Sequence, residues 1–323
     1  MKNSAFSFIK PHAMVSQPVV NAIADRLEEA GVRVSHMERI GADRLPALFD
    51  AHSGAVARVA RAASAESAFG PDARTRFSAA FGEDFSAAAA RGRVLLPDAA
   101  IAAFGTDPDG LLRIWGSGYA EELAPGLFVA KCEKPRHHHH GHDHGDCGCG
   151  HDHHGHDRGD CGCGHEARYV VNGFYPAERA PYADPAGPGV MAMVLDFDID
   201  WMEFNDVVIG DEAPGGALEE SIRGFLYDRR DALGMRIDLY DNVLHASRNA
   251  FEALCDKIVW LPPARRRDDP LLRALRSAKA LPARGASQTL LRLRETGPEI
   301  LHEPGLGADA LAPAVIDALR GEA

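Results

Sequence analysis

The 323-residue chain predicts an α+β fold. Strand-like and helix-like periodicities alternate over the first 44 residues and again after residue 167, and the interval between differs in composition. With 46% apolar and 25% charged residues the chain is able to build a core. Its net charge of −12 repels a phosphate backbone, which disfavours general nucleic-acid binding. No stretch approaches the roughly 18 continuous apolar residues of a membrane span, and the start lacks the basic and apolar regions of a secretory leader. The expectation is a cytoplasmic protein with no membrane partner.

The elements follow in order. SAFSFIK (4–10) is a short apolar strand, PVVNAIADRLEEAG (18–31) an amphipathic helix stopped by Gly31, and VRVSHMERI (32–40) a second strand. Residues 1–44 form the first part of a core. Residues 45–134 carry Ala-rich stretches such as GAVARVARAASAESAF, broken by Gly and Pro, and read as a mainly helical insertion. After 167 come a strand at 190–198, a strand around DVVIG (206–210), a strand near LYDNVLHAS (239–247) and a helix over NAFEALCDKIVWL (249–261). These make up the second part of the core, 167–263. The remainder, 264–323, reads as a C-terminal appendage.

Residues 135–166 are compositionally apart. They hold eleven of the 16 histidines and four of the six cysteines and no large apolar residue, so they cannot offset the entropy cost of ordering and are expected to be a disordered loop. HGHDHGDCGCGHD from His140 recurs as HGHDRGDCGCGHE from His154, fourteen residues on. Imidazole and thiolate are donors for Zn²⁺, Ni²⁺, Co²⁺ or copper. The expected ligands are His137, His138, His139, His140, His142, His144, Cys147, Cys149, His151, His153, His154, His156, Cys161, Cys163 and His165. CGC lacks the spacing of a zinc knuckle, so several exchangeable ions are expected. Cys132 and Cys255 stand alone, and the six cysteines make no disulfide framework.

Four segments resemble the nucleoside diphosphate kinase family. FSFIKPHAMVSQPVVNAIADRLEEAGVRV is similar to its first strand, IKPD segment and first helix; AGPGVMAMV (186–194) resembles SGPVVAMV; SIRGFL (221–226) resembles TIRGDF; and NVLHASRNAFEALCDKIVWL resembles the segment around the family's phosphorylated histidine. Together they fall in 1–44 and 167–263, about half the chain. The resemblance implies a ferredoxin-like nucleoside diphosphate kinase sandwich, a homo-oligomer, and γ-phosphate transfer from a nucleoside triphosphate to a diphosphate through a phosphohistidine, with Mg²⁺.

By the same resemblance His245 is the nucleophile, Asp256 the carboxylate that orients it (the family has Glu) and Ser247 a hydroxyl beside it. Lys10 and Arg223 match phosphate ligands, Asn242 the asparagine that meets the sugar, and Tyr169 the tyrosine beside the histidine. A histidine whose second nitrogen is held by an acceptor is able to act as a nucleophile, which agrees with these roles.

The chain departs from the family at Asp206, where the family has arginine, and at Glu212, where it has threonine. Arg229, Arg230 or Arg236 could restore the lost positive charge, or could form a solvated basic face. The alternative is therefore a catalytically weak or inactive nucleotide-binding scaffold whose loop buffers or senses transition metals.

Overall fold

A computed structural model describes residues 1–133, 167–238 and 241–321. The chain divides into two compact units, one of Met1–Gly54 with Glu178–Ala323 and one of Ala55–Ala177. The described strands are β1 (Asn3–Ile9), β2 (Arg33–Ile40), β3 (Val94–Leu95), β4 (Tyr119–Ala124), β5 (Leu127–Cys132), β6 (Arg168–Val171), β7 (Val190–Phe197) and β8 (Leu244–Ala246). With the helices they make an α+β protein. The His/Cys-rich tract, with all fifteen of its expected ligands, lies outside the described residues.

The first unit is built on an antiparallel sheet of order β2-β7-β1-β8. β1 is central and all seven of its residues are buried, Ala5, Phe6, Phe8 and Ile9 as apolar core and Asn3, Ser4 and Ser7 as polar residues with hydrogen-bond partners. Its Ser7 is satisfied by donating to the His245 carbonyl at 2.6 Å. The helix Gln17–Glu29 buries Val19, Ile23 and Leu27, a stripe at four-residue spacing that packs into this core.

Two expectations are corrected in this unit. DVVIG is not a strand: Phe204–Ile209 is one turn of π-helix that buries Phe204, Val208 and Ile209. A short apolar run does not distinguish strand from helix by periodicity, and here the i,i+4 pair Phe204 and Val208 decides for helix. Residues 264–323 are not an appendage either. Helices Pro270–Ser277, Ala286–Thr296 and Ala308–Gly321 place Leu271, Leu275, Leu290, Leu293, Leu311 and Val315 in the same hydrophobic core as β1. Asp269 seals the join, pairing with the buried Lys257 at 2.8 Å while capping the helix that follows through Leu272 N.

The second unit holds its own sheet, β3-β6-β5-β4, with a parallel β3/β6 pair and antiparallel remainder. The interval read as mainly helical therefore contributes β3, β4 and β5. β3 has only two residues and β4, YAEELA, is rich in Ala and Glu, which hides both from β-propensity, whereas β5, LFVAKC, has the composition of a strand. The boundaries fall after Gly54 and Ala177 rather than at 44/45 and 166/167. Among the described residues no helix is long and apolar enough to cross a membrane.

Candidate functional site

β8 carries His245 opposite Phe8 of β1, and the imidazole stacks on the Phe8 ring with centroids 5.0 Å apart. The chain then enters the helix Ala250–Trp260. Asn249 caps that helix by accepting from Glu252 N at 2.8 Å, and its amide donates to the carbonyls of Leu301 and Glu303. This start sets the rotation of the helix, which turns Asp256 back towards β8.

Asp256 is wholly buried. Its Oδ2 accepts from His245 Nε2 at 2.9 Å, and the Ser247 hydroxyl lies 2.8 Å from the same oxygen and 3.1 Å from the Phe6 carbonyl. Burial alone would raise the carboxyl pKa, but the charges of His52 and His245, with the hydrogen bond from His245, hold it well below the usual range. The group is a carboxylate, so Nε2 of His245 carries the shared proton. In the neutral ring Nδ1 then holds the lone pair, and among the described residues it has no hydrogen-bond partner.

Asp256 has two more partners that sequence reasoning missed. His52, from the helix Leu45–Ser53, sets Nδ1 3.1 Å from Asp256 Oδ1, and its ring meets that of His245 edge-on at 4.6 Å. Arg294 brings a guanidinium nitrogen to 3.5 Å from the same oxygen. Burial lowers the His52 pKa, and Asp256 counteracts it. Neither residue sits in a motif, and one was assigned to an insertion and the other to an appendage, so no sequence signal pointed to them.

Lys10 and Arg223 bond to the chain at the entry to β8, and Asn242 lies two residues before that strand. Lys10 N donates to the Val243 carbonyl at 2.9 Å. The terminal nitrogens of Arg223 donate to Leu244 O at 3.1 Å and Gly210 O at 2.9 Å, leaving further N–H groups for other acceptors. Asn242 Nδ2 donates to the Glu212 carbonyl at 3.2 Å. Burial lowers Lys10 to about 8, against the raising effect of Glu178, and lowers Arg223 to about 10.

Between these anchors Val243 is fully buried with φ of 74°, an unfavourable conformation for a β-branched residue. Such strain persists only where surrounding contacts over-determine it. In SIRG, Ser221 caps its helix through Gly224 N, and a Cβ on Gly224 would land on the Leu218 carbonyl, so glycine after Arg223 lets the helix start lie close against the preceding loop.

A cavity of about 290 Å³ is lined by Asp206, Gly210, Asp211, Glu212, Arg223 and Arg248, among others. The two carboxylates noted in the sequence do line it. Arg223 and Arg248 are the cations that line it, Arg248 being paired with Glu252 at 3.3 Å, and Arg229, Arg230 and Arg236 are not among the lining residues. Arg229 and Arg230 lie over the Phe225 and Tyr227 rings and donate to the carbonyls of those residues, while Arg236 pairs with Asp238.

Tyr169 is corrected. It belongs to the second unit, where its hydroxyl donates to Glu83 at 2.8 Å and its ring packs on Phe77 and Phe81. The tyrosine that reaches the Phe8 face in the first unit is Tyr182, buried and edge-on to Phe8.

The fold and site define an α+β protein in which a half-buried histidine is bonded to a buried carboxylate near a cavity of mixed charge. No protein-family model and no curated protein matches the chain. The chain is similar to a solved structure described as an NDP kinase from Pyrobaculum aerophilum, at 14% identity and a TM-score of 0.34, over 81% of this chain and 97% of that one.

Proposed function

We propose that the chain is a nucleoside diphosphate kinase-like phosphotransferase. The observation that carries this reading is the 2.9 Å bond from His245 Nε2 to the ionised Asp256, which leaves Nδ1 as the nucleophilic nitrogen. Nδ1 attacks the terminal phosphorus of a nucleoside triphosphate, the bond to the bridging oxygen breaks, and the diphosphate leaves. A second diphosphate takes the phosphoryl group from the histidine by the reverse step. Asp256 holds the ring and stabilises the positive charge that forms on it, and Ser247 helps fix the carboxylate. Lys10 and Arg223 supply cations on the flank of β8, since phosphoryl transfer needs positioning and charge more than covalent help. The strand order β2-β7-β1-β8 is the order a ferredoxin-like sandwich requires, which supports the same reading.

Mg²⁺ would arrive with the nucleotide and neutralise phosphate charge. Asp206, Asp211 and Glu212 offer the hard oxygen donors it prefers. Those same carboxylates favour a second reading, a nucleotide-binding scaffold with little or no turnover, whose His/Cys tract takes up Zn²⁺, Ni²⁺, Co²⁺ or copper.

Incubation with γ-labelled ATP separates the two. Acid-labile, base-stable label that disappears in His245→Ala, with the fold retained, is the expected result. Undiminished phosphotransfer by His245→Ala would refute the proposal, because a removed nucleophile has no partial substitute.

A further inference from the structure

The contact between His52 and Asp256 is unusual. His52 Nδ1 and Asp256 Oδ1 are 3.1 Å apart and both are buried, yet their alignment is not that of a hydrogen bond. A potential donor and an acceptor this close, neither in a hydrogen bond although Arg294 stands 3.5 Å from the acceptor, call for an explanation. A cation held by both lone pairs supplies one. Bonds of about 2.0 to 2.2 Å from Zn²⁺ to imidazole and carboxylate put neighbouring donors about 3.3 Å apart in a tetrahedron and about 2.9 Å apart in an octahedron.

His245 completes a ligand set. One donor atom from each of His52, His245 and Asp256 lies within 4.8 Å of the others. His52 and Asp256 also line a cavity of about 170 Å³, which leaves room for a solvent ligand. We propose that His52, His245 and Asp256 bind one divalent transition-metal ion of the zinc type, and that this ion and the phosphoryl group compete for His245.

The site itself stands on the geometry alone; the competition rests on the phosphotransfer reading above. Its logic is tautomeric. In the metal-free state Nε2 of His245 holds the proton for Asp256, and Nδ1 is free to attack. An ion that takes the Nε2 lone pair leaves the ring proton on Nδ1, and a protonated Nδ1 is no nucleophile. The Nε2–H bond breaks and an Nδ1–H bond forms, the proton passing through solvent, while the metal–ligand bonds replace the hydrogen bond from Nε2 to Asp256.

Arg294 opposes the ion, since its guanidinium is 3.5 Å from Asp256 Oδ1. It is also anchored by donating to the Ala51 carbonyl at 2.9 Å, so it has a partner to retain when the ion enters.

The test uses the full chain with Zn²⁺. An ion bound by these three residues stabilises only the folded state, whereas ions bound equally well by the folded and unfolded chain shift no midpoint. At about a hundredfold excess over Kd the unfolding midpoint of the first unit should rise by roughly 5 to 10 °C. In His52→Gln the rise should largely vanish, and in Arg294→Gln it should grow at subsaturating Zn²⁺, a gain that misfolding cannot produce. In ¹⁵N spectra the imidazole signal that His245→Gln removes should show Nδ1 become the protonated nitrogen when Zn²⁺ is added. No shift in the parent chain, an equal shift in His52→Gln, or no gain in Arg294→Gln would each overturn the site. Zn²⁺ should also suppress acid-labile labelling of the parent chain. Labelling that persists at saturating Zn²⁺ would overturn the competition, while absence of labelling with or without Zn²⁺ would overturn the phosphotransfer reading and leave the thermal result to judge the site.

Discussion

Lys257→Met tests whether the C-terminal segment is structural. Lys257 is 1% exposed, and its ammonium donates to Ser4 O at 2.7 Å, Ser4 Oγ at 2.8 Å and Asp269 Oδ2 at 2.8 Å, so all three of its N–H groups are used. Met fills a similar volume but leaves Asp269 buried without a counter-charge and Ser4 without two partners. Breaking a buried pair from one side costs about 3 to 5 kcal/mol, a large share of the 5 to 15 kcal/mol typical of a whole domain. With a urea slope of about 2 kcal/mol/M the midpoint should fall by roughly 2 M. Fluorescence of Trp201 and Trp260, both buried in the first unit, reports the transition. Adding Asp269→Asn removes the stranded charge while keeping the oxygen that caps Leu272 N, and should recover about half of the loss. A loss under about 1 kcal/mol for Lys257→Met, or a double variant no better than the single, would refute the reasoning.

Gly210→Ala places a side chain at φ of 94° and against Ser221, and it disturbs the carbonyl that receives Arg223; thermal denaturation should show a loss of about 2 to 4 kcal/mol. Nucleotide affinity should fall as pH rises through about 8, where Lys10 loses its proton, rather than near 10.5, and isothermal titration across pH reads this directly. Because the folded pKa is lowered, charged Lys10 costs the fold about 3 kcal/mol near neutrality, and the unfolding free energy should rise as pH climbs from about 8 towards 10.5. Glu178→Gln removes a carboxylate that raises the Lys10 pKa and should move the affinity loss to lower pH; a move to higher pH would show that Glu178 does not act on Lys10.

The sequence by itself determined the local elements and the pair at the centre of the site. Strand periodicity in 4–10 and 32–40 and the apolar stripe of 18–31 are properties of nearby residues, and the structure carries each as an element; the pairing of His245 with Asp256 was what the family resemblance implied, and a 2.9 Å bond joins the two. What failed were readings that depended on packing. DVVIG has the composition of a strand, but Phe204 and Val208 turn inward together on a helical turn. Tyr169 matched by alignment, yet it fills the core of the other unit. The amphipathic pattern of 264–323 was visible, but amphipathicity does not say which core a helix will cover. His52 and Arg294 reach Asp256 across long separations in sequence, and only tertiary structure could add a second histidine and an arginine to the carboxylate. A buried charge is compensated by whatever the fold brings within a few ångströms of it, and that neighbourhood is set by chain topology rather than by any local pattern.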